Sequence, residues 1–124
     1  MKDAVPRRIL VVEDNPNMSS LLADMLAVFA VESVCATDGN DALRIAAEEN
    51  IGLVITDMRM PKMSGPELLA ALKERDPQLP VVLISGYSLG NDEARAAADR
   101  ADGFLKKPFR MSDVKDILDR LYVP

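Results

Sequence analysis

The sequence predicts a doubly wound α/β fold, in which helices cover both faces of a five-stranded parallel sheet. Short apolar runs of strand length alternate five times with segments whose apolar residues recur at helical spacing. No linker, low-complexity segment or repeat interrupts this alternation, and 124 residues are close to the commonest size of one domain. We therefore interpret residues 1–124 as a single domain of five βα units.

The first two units show the pattern most plainly. A strand predicted over residues 9–12 is followed by Asn15 and Pro16, which are typical of an N-cap and a first helical turn. Apolar side chains between residues 21 and 29 then recur at helical spacing. In the second unit a strand over residues 31–36 is followed by a turn at Asp38 and a second helix.

The remaining three units follow the same order. A strand over residues 53–56 precedes a Pro/Gly-rich loop, and Pro66 begins a helix that stops before Pro77. A fourth strand over residues 81–84 precedes a helix predicted over residues 92–100. Phe104 lies in the fifth strand, and the last helix presents apolar residues to one side.

The order of the strands follows from the least hydrophobic of them. The second strand contains Glu32 and Ser33, so we place it at an edge of the sheet. This placement suits the flavodoxin-like order 2-1-3-4-5, in which the first and third strands are neighbours at the topological switch point.

Composition excludes several classes of function. The net charge of −5 argues against direct binding of nucleic acid, which needs a basic surface. The absence of histidine removes imidazole chemistry, and the single cysteine, Cys35, is expected to be a small buried residue on a strand. No apolar run approaches the about 18 residues of a membrane span, so we expect a cytoplasmic protein that does not enter a membrane.

Three carboxylates are expected to meet at the carboxyl edge of the sheet. Glu13 and Asp14 end the first strand, and Asp57 ends the third. Three like charges in one cleft are unfavourable unless a cation neutralises them. Because carboxylates are hard oxygen ligands, this set predicts Mg²⁺ rather than Zn²⁺.

A lysine and a serine end the two remaining strands at this edge. Lys107 could reach Asp57 and bind an anionic group, whereas Lys106 would point to the opposite face of the strand. The bond between Lys107 and Pro108 is a candidate for cis geometry. Ser85 is either a turn residue or a hydroxyl donor to a phosphoryl oxygen.

These motifs together resemble the receiver domain of bacterial two-component response regulators, of which the chemotaxis regulators are examples. The resemblance extends from Arg8 to about Leu121. Its residues are Glu13-Asp14, Asp57 with Met60-Pro61 and Gly65, Ser85-Gly86, and Lys107-Pro108-Phe109.

The resemblance implies a phosphorylation site. Asp57 would accept a phosphoryl group from a histidine kinase or a phosphotransfer protein. Glu13, Asp14 and Asp57 would hold Mg²⁺, with the backbone carbonyl of Arg59 as a further ligand. Phosphoryl transfer fits such a set, since it needs a nucleophile and charge neutralisation.

Further residues receive roles by the same resemblance. Lys107 would pair with the phosphoryl group, and Ser85 would be the switch hydroxyl. Phe104 matches the aromatic switch position, where a tyrosine is frequent. Arg59 and Tyr87 lie at the two variable positions that tune the lifetime of the aspartyl phosphate.

The implied function is that of a signalling switch and not of an enzyme, although such a domain assists its own phosphorylation and dephosphorylation. Phosphorylation would change the surface of the predicted fourth helix, fifth strand and last helix. That surface would control a downstream protein or an output domain, and would form a weak homodimer. The chain is either a stand-alone receiver or one domain of a larger regulator or hybrid kinase.

Three other interpretations remain open. A small Mg²⁺-dependent phosphatase would also use an aspartyl nucleophile, but usually has a second acid where this chain has Arg59. A flavin-binding redox domain would need a phosphate-binding loop where Glu13 and Asp14 would repel the phosphate. A receiver relative could also act by binding alone.

Overall fold

The strands form one parallel sheet in the order β2-β1-β3-β4-β5. A computed structural model describes residues 6–60, 62–86 and 99–124. Within these ranges the strands are β1 (Arg8–Val12), β2 (Ser33–Ala36), β3 (Ile51–Asp57), β4 (Val81–Ser85) and β5 (Gly103–Lys106). The helices there are α1 (Pro16–Val28), α2 (Gly39–Glu48), α3 (Gly65–Arg75) and α4 (Met111–Leu121). The predicted fold class and strand order are confirmed.

The core consists of two apolar layers, one on each face of the sheet. Along β1, Ile9 and Val11 pack with α1 and α4, whereas Leu10 and Val12 pack with α2 and α3. Neighbouring strands repeat this alternation, because successive side chains of a strand point to opposite faces. Full burial of each such side chain contributes ~1.5–3 kcal/mol. The sheet is therefore a rigid base for residues at its carboxyl edge.

Each helix that follows β1, β2 or β3 begins at a side-chain cap. Asn15 caps α1, as the sequence predicted, and Asp38, at the predicted turn, caps α2. Ser64 caps α3, and Glu67 completes a capping box with it. These caps fix where the chain leaves the carboxyl edge of the sheet. None of the helices in the described ranges has the length and apolar character to span a membrane.

Two boundaries differ from the predicted ones. The predicted second strand began at Val31, but β2 begins at Ser33. Ala30 adopts a left-handed conformation with φ 62°, and the backbone N–H of Val31 donates to Leu26 O at 3.1 Å. Val31 therefore terminates α1 and does not join the sheet. Conversely, β3 is longer than predicted and includes Asp57.

Two further expectations concern the edge strand and the fourth predicted helix. β2 lies at the edge of the sheet, as expected, and Cys35 on it is exposed. The expectation of a buried cysteine was wrong, because the edge position leaves this side chain uncovered. Of the helix predicted over residues 92–100, Asp99 and Arg100 are helical, and residues 92–98 lie outside the described ranges.

Candidate functional site

The structure brings the three predicted carboxylates together. One carboxylate oxygen from each of Glu13, Asp14 and Asp57 lies within 4.8 Å of the others. Adjacent strands cause this convergence, since β1 and β3 pair in parallel register up to Val12 and Thr56. The next residues of both strands therefore emerge side by side at the carboxyl edge.

Glu13 is the most buried member of this cluster, at 3% exposure. Its Oε2 accepts a hydrogen bond from the backbone N–H of Asn15 at 3.2 Å, while Oε1 has no hydrogen-bond partner in the described structure. Burial raises the pKa of Glu13 from 4.5 to about 7, and the charge of Asp57 adds to the rise. The Asn15 N–H and the charge of Lys107 act in the opposite direction.

The cluster fits a hard divalent cation. A buried carboxylate oxygen without a protein donor is costly unless something else satisfies it. A cation bound by all three carboxylates would satisfy Glu13 Oε1 and also offset the mutual repulsion. All three side chains offer oxygen, which suits Mg²⁺.

The cationic side of the site comes from the end of β5. Lys107 Nζ lies 3.9 Å from Asp57 Oδ2, and the Asp57 side chain is 13% exposed. The backbone N–H of Lys107 donates to Ser85 O at 2.7 Å, and the peptide bond to Pro108 is cis. Lys106 is exposed. Of the two lysines, Lys107 is therefore the one that lies near the carboxylates.

Ser85 and Phe104 lie on the neighbouring strands. Ser85 ends β4 and is 7% exposed, and Ile84 beside it pairs with Asp57. Phe104 pairs with Leu83 and is partly buried against the layer beneath α2 and α3. Both predicted switch residues thus belong to strands on the same side of Asp57.

The first residue of α3 packs tightly against the backbone of Asp57. A Cβ atom added at Gly65 would lie 2.4 Å from the Asp57 carbonyl oxygen. The backbone N–H of Gly65 donates to Met58 O at 3.0 Å. Gly65 is therefore needed for close approach of two backbone segments, which is one of the uses of glycine.

Of the two residues that the resemblance connects with the lifetime of the phosphoryl group, the structure describes one. Arg59 is exposed, two residues after Asp57. Tyr87 lies outside the described residues.

Sequence reasoning missed two contacts of the site. The Thr56 hydroxyl donates to the Asp57 carbonyl at 3.1 Å, and the Asn15 backbone N–H donates to Glu13. The capping role of Asn15 was readable from the sequence, but the bond to Glu13 depends on the direction of the chain between β1 and α1.

The raised pKa of Glu13 predicts how stability depends on pH in the metal-free protein. Folded Glu13 keeps its proton up to about pH 7, whereas unfolded Glu13 releases it near 4.5. Its contribution to stability is thus complete below the lower value and is lost as the pH rises through the upper one. With EDTA present, Tm should fall by several degrees between about pH 5 and about pH 8.

The variant Glu13→Gln isolates this effect, because glutamine does not titrate. The difference in Tm between the two pH values should be smaller in Glu13→Gln than in the wild type. Added Mg²⁺ should stabilise the wild type more at the higher pH, since the cation and the proton compete for the same carboxylate. If Tm depended on pH equally in the two proteins, the raised pKa of Glu13 would be contradicted.

Comparison with known proteins identifies the family. The sequence profile of the response regulator receiver domain family matches residues 9–119. This chain therefore belongs to that family. Members of this family are phosphorylation-accepting signalling domains of two-component systems. The phosphatase and binding-only interpretations are not favoured by this finding.

Two curated relatives illustrate the similarity. The chain is 33% identical over 110 residues to the sensor histidine kinase RcsC of Escherichia coli K12, covering 89% of this chain and 12% of that protein. It is 34% identical over 113 residues to the response regulator FleR of Pseudomonas aeruginosa, covering 91% and 24%. The chain therefore spans about a quarter or less of these curated relatives.

A solved structure is similar over almost its whole length. It is the response regulator TrrA of Thermotoga maritima in complex with Mg²⁺ and BeF, 31% identical to this chain, with a TM-score of 0.83. The match covers 93% of this chain and 98% of TrrA.

Proposed function

We propose that Asp57 accepts a phosphoryl group from a phosphohistidine of a histidine kinase or a phosphotransfer protein. The observation that carries this proposal is the environment of Asp57, which stands between two further carboxylates and a lysine at the carboxyl edge of the sheet. The carboxylates repel an anionic donor unless a cation is bound, so the site needs one.

The transfer forms one bond and breaks one. A carboxylate oxygen of Asp57 attacks phosphorus, and the bond from phosphorus to the imidazole nitrogen breaks, so that the electron pair leaves with the imidazole. Glu13, Asp14, Asp57 and the backbone carbonyl of Arg59 would hold Mg²⁺, which neutralises charge on the phosphoryl oxygens. Lys107 Nζ, already 3.9 Å from Asp57 Oδ2, would stabilise the same charge.

Phosphorylation of Asp57 would then change the conformation of residues on β4 and β5. The Ser85 hydroxyl would donate to a phosphoryl oxygen, and Phe104 would change its packing against the layer beneath α2 and α3. The surface around β5 and α4 would respond, controlling a downstream protein or output domain and forming a weak homodimer. Arg59 and Tyr87 would limit access of water and so set the lifetime of the phosphoryl group.

The relatives suggest the setting of this switch. Similarity to a sensor histidine kinase and to a response regulator supports two kinds of partner. One would be a phosphorelay protein that donates the phosphoryl group, and the other an output domain or protein that responds to it. We propose that the domain works in the cytoplasm, since its donors carry phosphohistidine there, and that it does not itself bind nucleic acid. Its net charge of −5 supports the latter.

Intact-protein mass spectrometry tests the proposal. After incubation with acetyl phosphate or phosphoramidate and Mg²⁺, the wild type should gain one phosphoryl group. Asp57→Asn, or the wild type in EDTA, should gain none. A wild type that gains no phosphoryl group under any donor would contradict the proposal and favour a binding-only domain. Rapid hydrolysis of the donor without an adduct would instead favour the phosphatase.

A further inference from the structure

Asn15 joins the acidic cluster to the start of α1. It follows Asp14 directly and has an extended backbone, with φ −87° and ψ 114°. In this conformation its backbone N–H donates to Glu13 Oε2 at 3.2 Å. The N-cap residue of α1 thus holds the Glu13 carboxylate through a hydrogen bond.

The side chain of Asn15 holds that backbone conformation in place. Its Oδ1 accepts from the backbone N–H groups of Asn17 at 2.9 Å and Met18 at 3.3 Å. Its carbonyl oxygen accepts from Ser19 N at 3.0 Å. Because the first N–H groups of a helix otherwise lack partners, these bonds tie Asn15 to α1. The bond to Glu13 consequently depends on the cap.

Glu13 has little else to orient it. The side chain is 3% exposed, and Oε1 has no hydrogen-bond partner in the described structure. The neighbouring carboxylates of Asp14 and Asp57 repel Glu13 when all three are ionised. Without the Asn15 N–H, Glu13 would keep, among the described residues, only the contact with the Asp14 carboxylate, which is unfavourable when both are ionised, and the more distant charge of Lys107.

We propose that Asn15 is a positioning residue for the cation site. By capping α1 it holds its own N–H against Glu13, and so sets the orientation in which Glu13 meets Asp14 and Asp57. This inference rests on the proposed function, in which the three carboxylates bind Mg²⁺. Residues that orient metal ligands change metal affinity by about 10–100-fold when they are replaced. Asn15→Ala keeps the backbone N–H but loses the cap, so we expect the lower end, about tenfold.

Calorimetric titration of the metal-free full chain with Mg²⁺ at about pH 8 tests the inference, because protons then compete little with the cation for carboxylate ligands. Asn15→Ala should raise the Kd for Mg²⁺ about tenfold. Asn15→Ser should stay near the wild-type value, since serine also caps helices well. Ser64→Ala is the matched control, because Ser64 caps α3 through the Glu67 N–H and has no described bond to the three carboxylates.

Each outcome decides the inference. Asn15→Ala and Ser64→Ala should both lower Tm by a few degrees, but only the first should weaken Mg²⁺ binding. The inference is overturned if Asn15→Ala binds Mg²⁺ like the wild type, if Ser64→Ala weakens binding equally, or if Asn15→Ser fails to rescue. A wild type that binds no Mg²⁺ would overturn the proposed function and this inference with it. If the wild type binds Mg²⁺ and only Glu13→Gln, but not Asn15→Ala, weakens that binding, the inference is overturned and the proposed function stands.

Discussion

Replacing Lys107 with alanine is expected to slow phosphorylation of Asp57 by a small-molecule donor on the order of a hundredfold. Lys107 Nζ is 3.9 Å from Asp57 Oδ2, and both side chains are partly buried. The charge that develops on the phosphoryl oxygens would lose a positive partner in a site where water cannot replace it fully. The rate is measured by quenched time courses with phosphoramidate and Mg²⁺, using intact mass as the readout.

Lys106→Ala is the matched control for this prediction. Lys106 is the preceding residue of the same chain and also a lysine, but it is exposed. Its replacement removes the same charge from the protein and should leave the rate nearly unchanged. Equal slowing in the two variants would mean that net charge, and not the position of Lys107, controls the reaction.

Gly65→Ala is expected to destabilise the protein and disturb the acceptor loop together. The new Cβ would lie 2.4 Å from the Asp57 carbonyl oxygen and 2.8 Å from Met58 Cα. Both contacts are with backbone, so the start of α3 or the end of β3 must shift. Forced overpacking of this kind costs about 1–3 kcal/mol, which corresponds to a Tm lower by roughly 5 °C or more. Displacement of Asp57 should also reduce its phosphorylation.

Gly86→Ala provides the comparison. Among the residues that the structure describes, a Cβ there would meet only Lys107 side-chain atoms, at 3.6 and 3.9 Å, which is ordinary van der Waals contact. Thermal unfolding should therefore show little change for Gly86→Ala and a clear loss for Gly65→Ala. If the two variants had equal Tm values, the described close approach of α3 to the Asp57 backbone would be contradicted.

Periodicity and strand ends were sufficient to predict the architecture. Buried parallel strands require continuous apolar runs, so β1, β3 and β4 were recognisable from sequence alone. The polar content of β2 correctly placed it at the edge. Once the strand order was inferred, the meeting of Glu13, Asp14 and Asp57 followed, because neighbouring parallel strands end at the same edge.

Features that depend on three-dimensional geometry were not predictable in this way. Val31 continued an apolar run, yet its N–H ends α1 after the left-handed Ala30. Cys35 lies on a strand, but burial depends on what covers that strand. The bond from Asn15 to Glu13 and the contact of Gly65 with Asp57 join residues whose separation in sequence does not reveal their approach. These contacts are what tie the carboxylates to the surrounding helices.

The most direct test of the account is to locate the phosphoryl group on the chain. The phosphorylated protein is treated with borohydride, which reduces an aspartyl phosphate to homoserine, and its peptides are sequenced by mass spectrometry. We expect homoserine at position 57 and nowhere else, and none when Mg²⁺ is withheld. Reduction at Glu13 or Asp14, or a stable phosphate on Ser85 in place of homoserine, would contradict it.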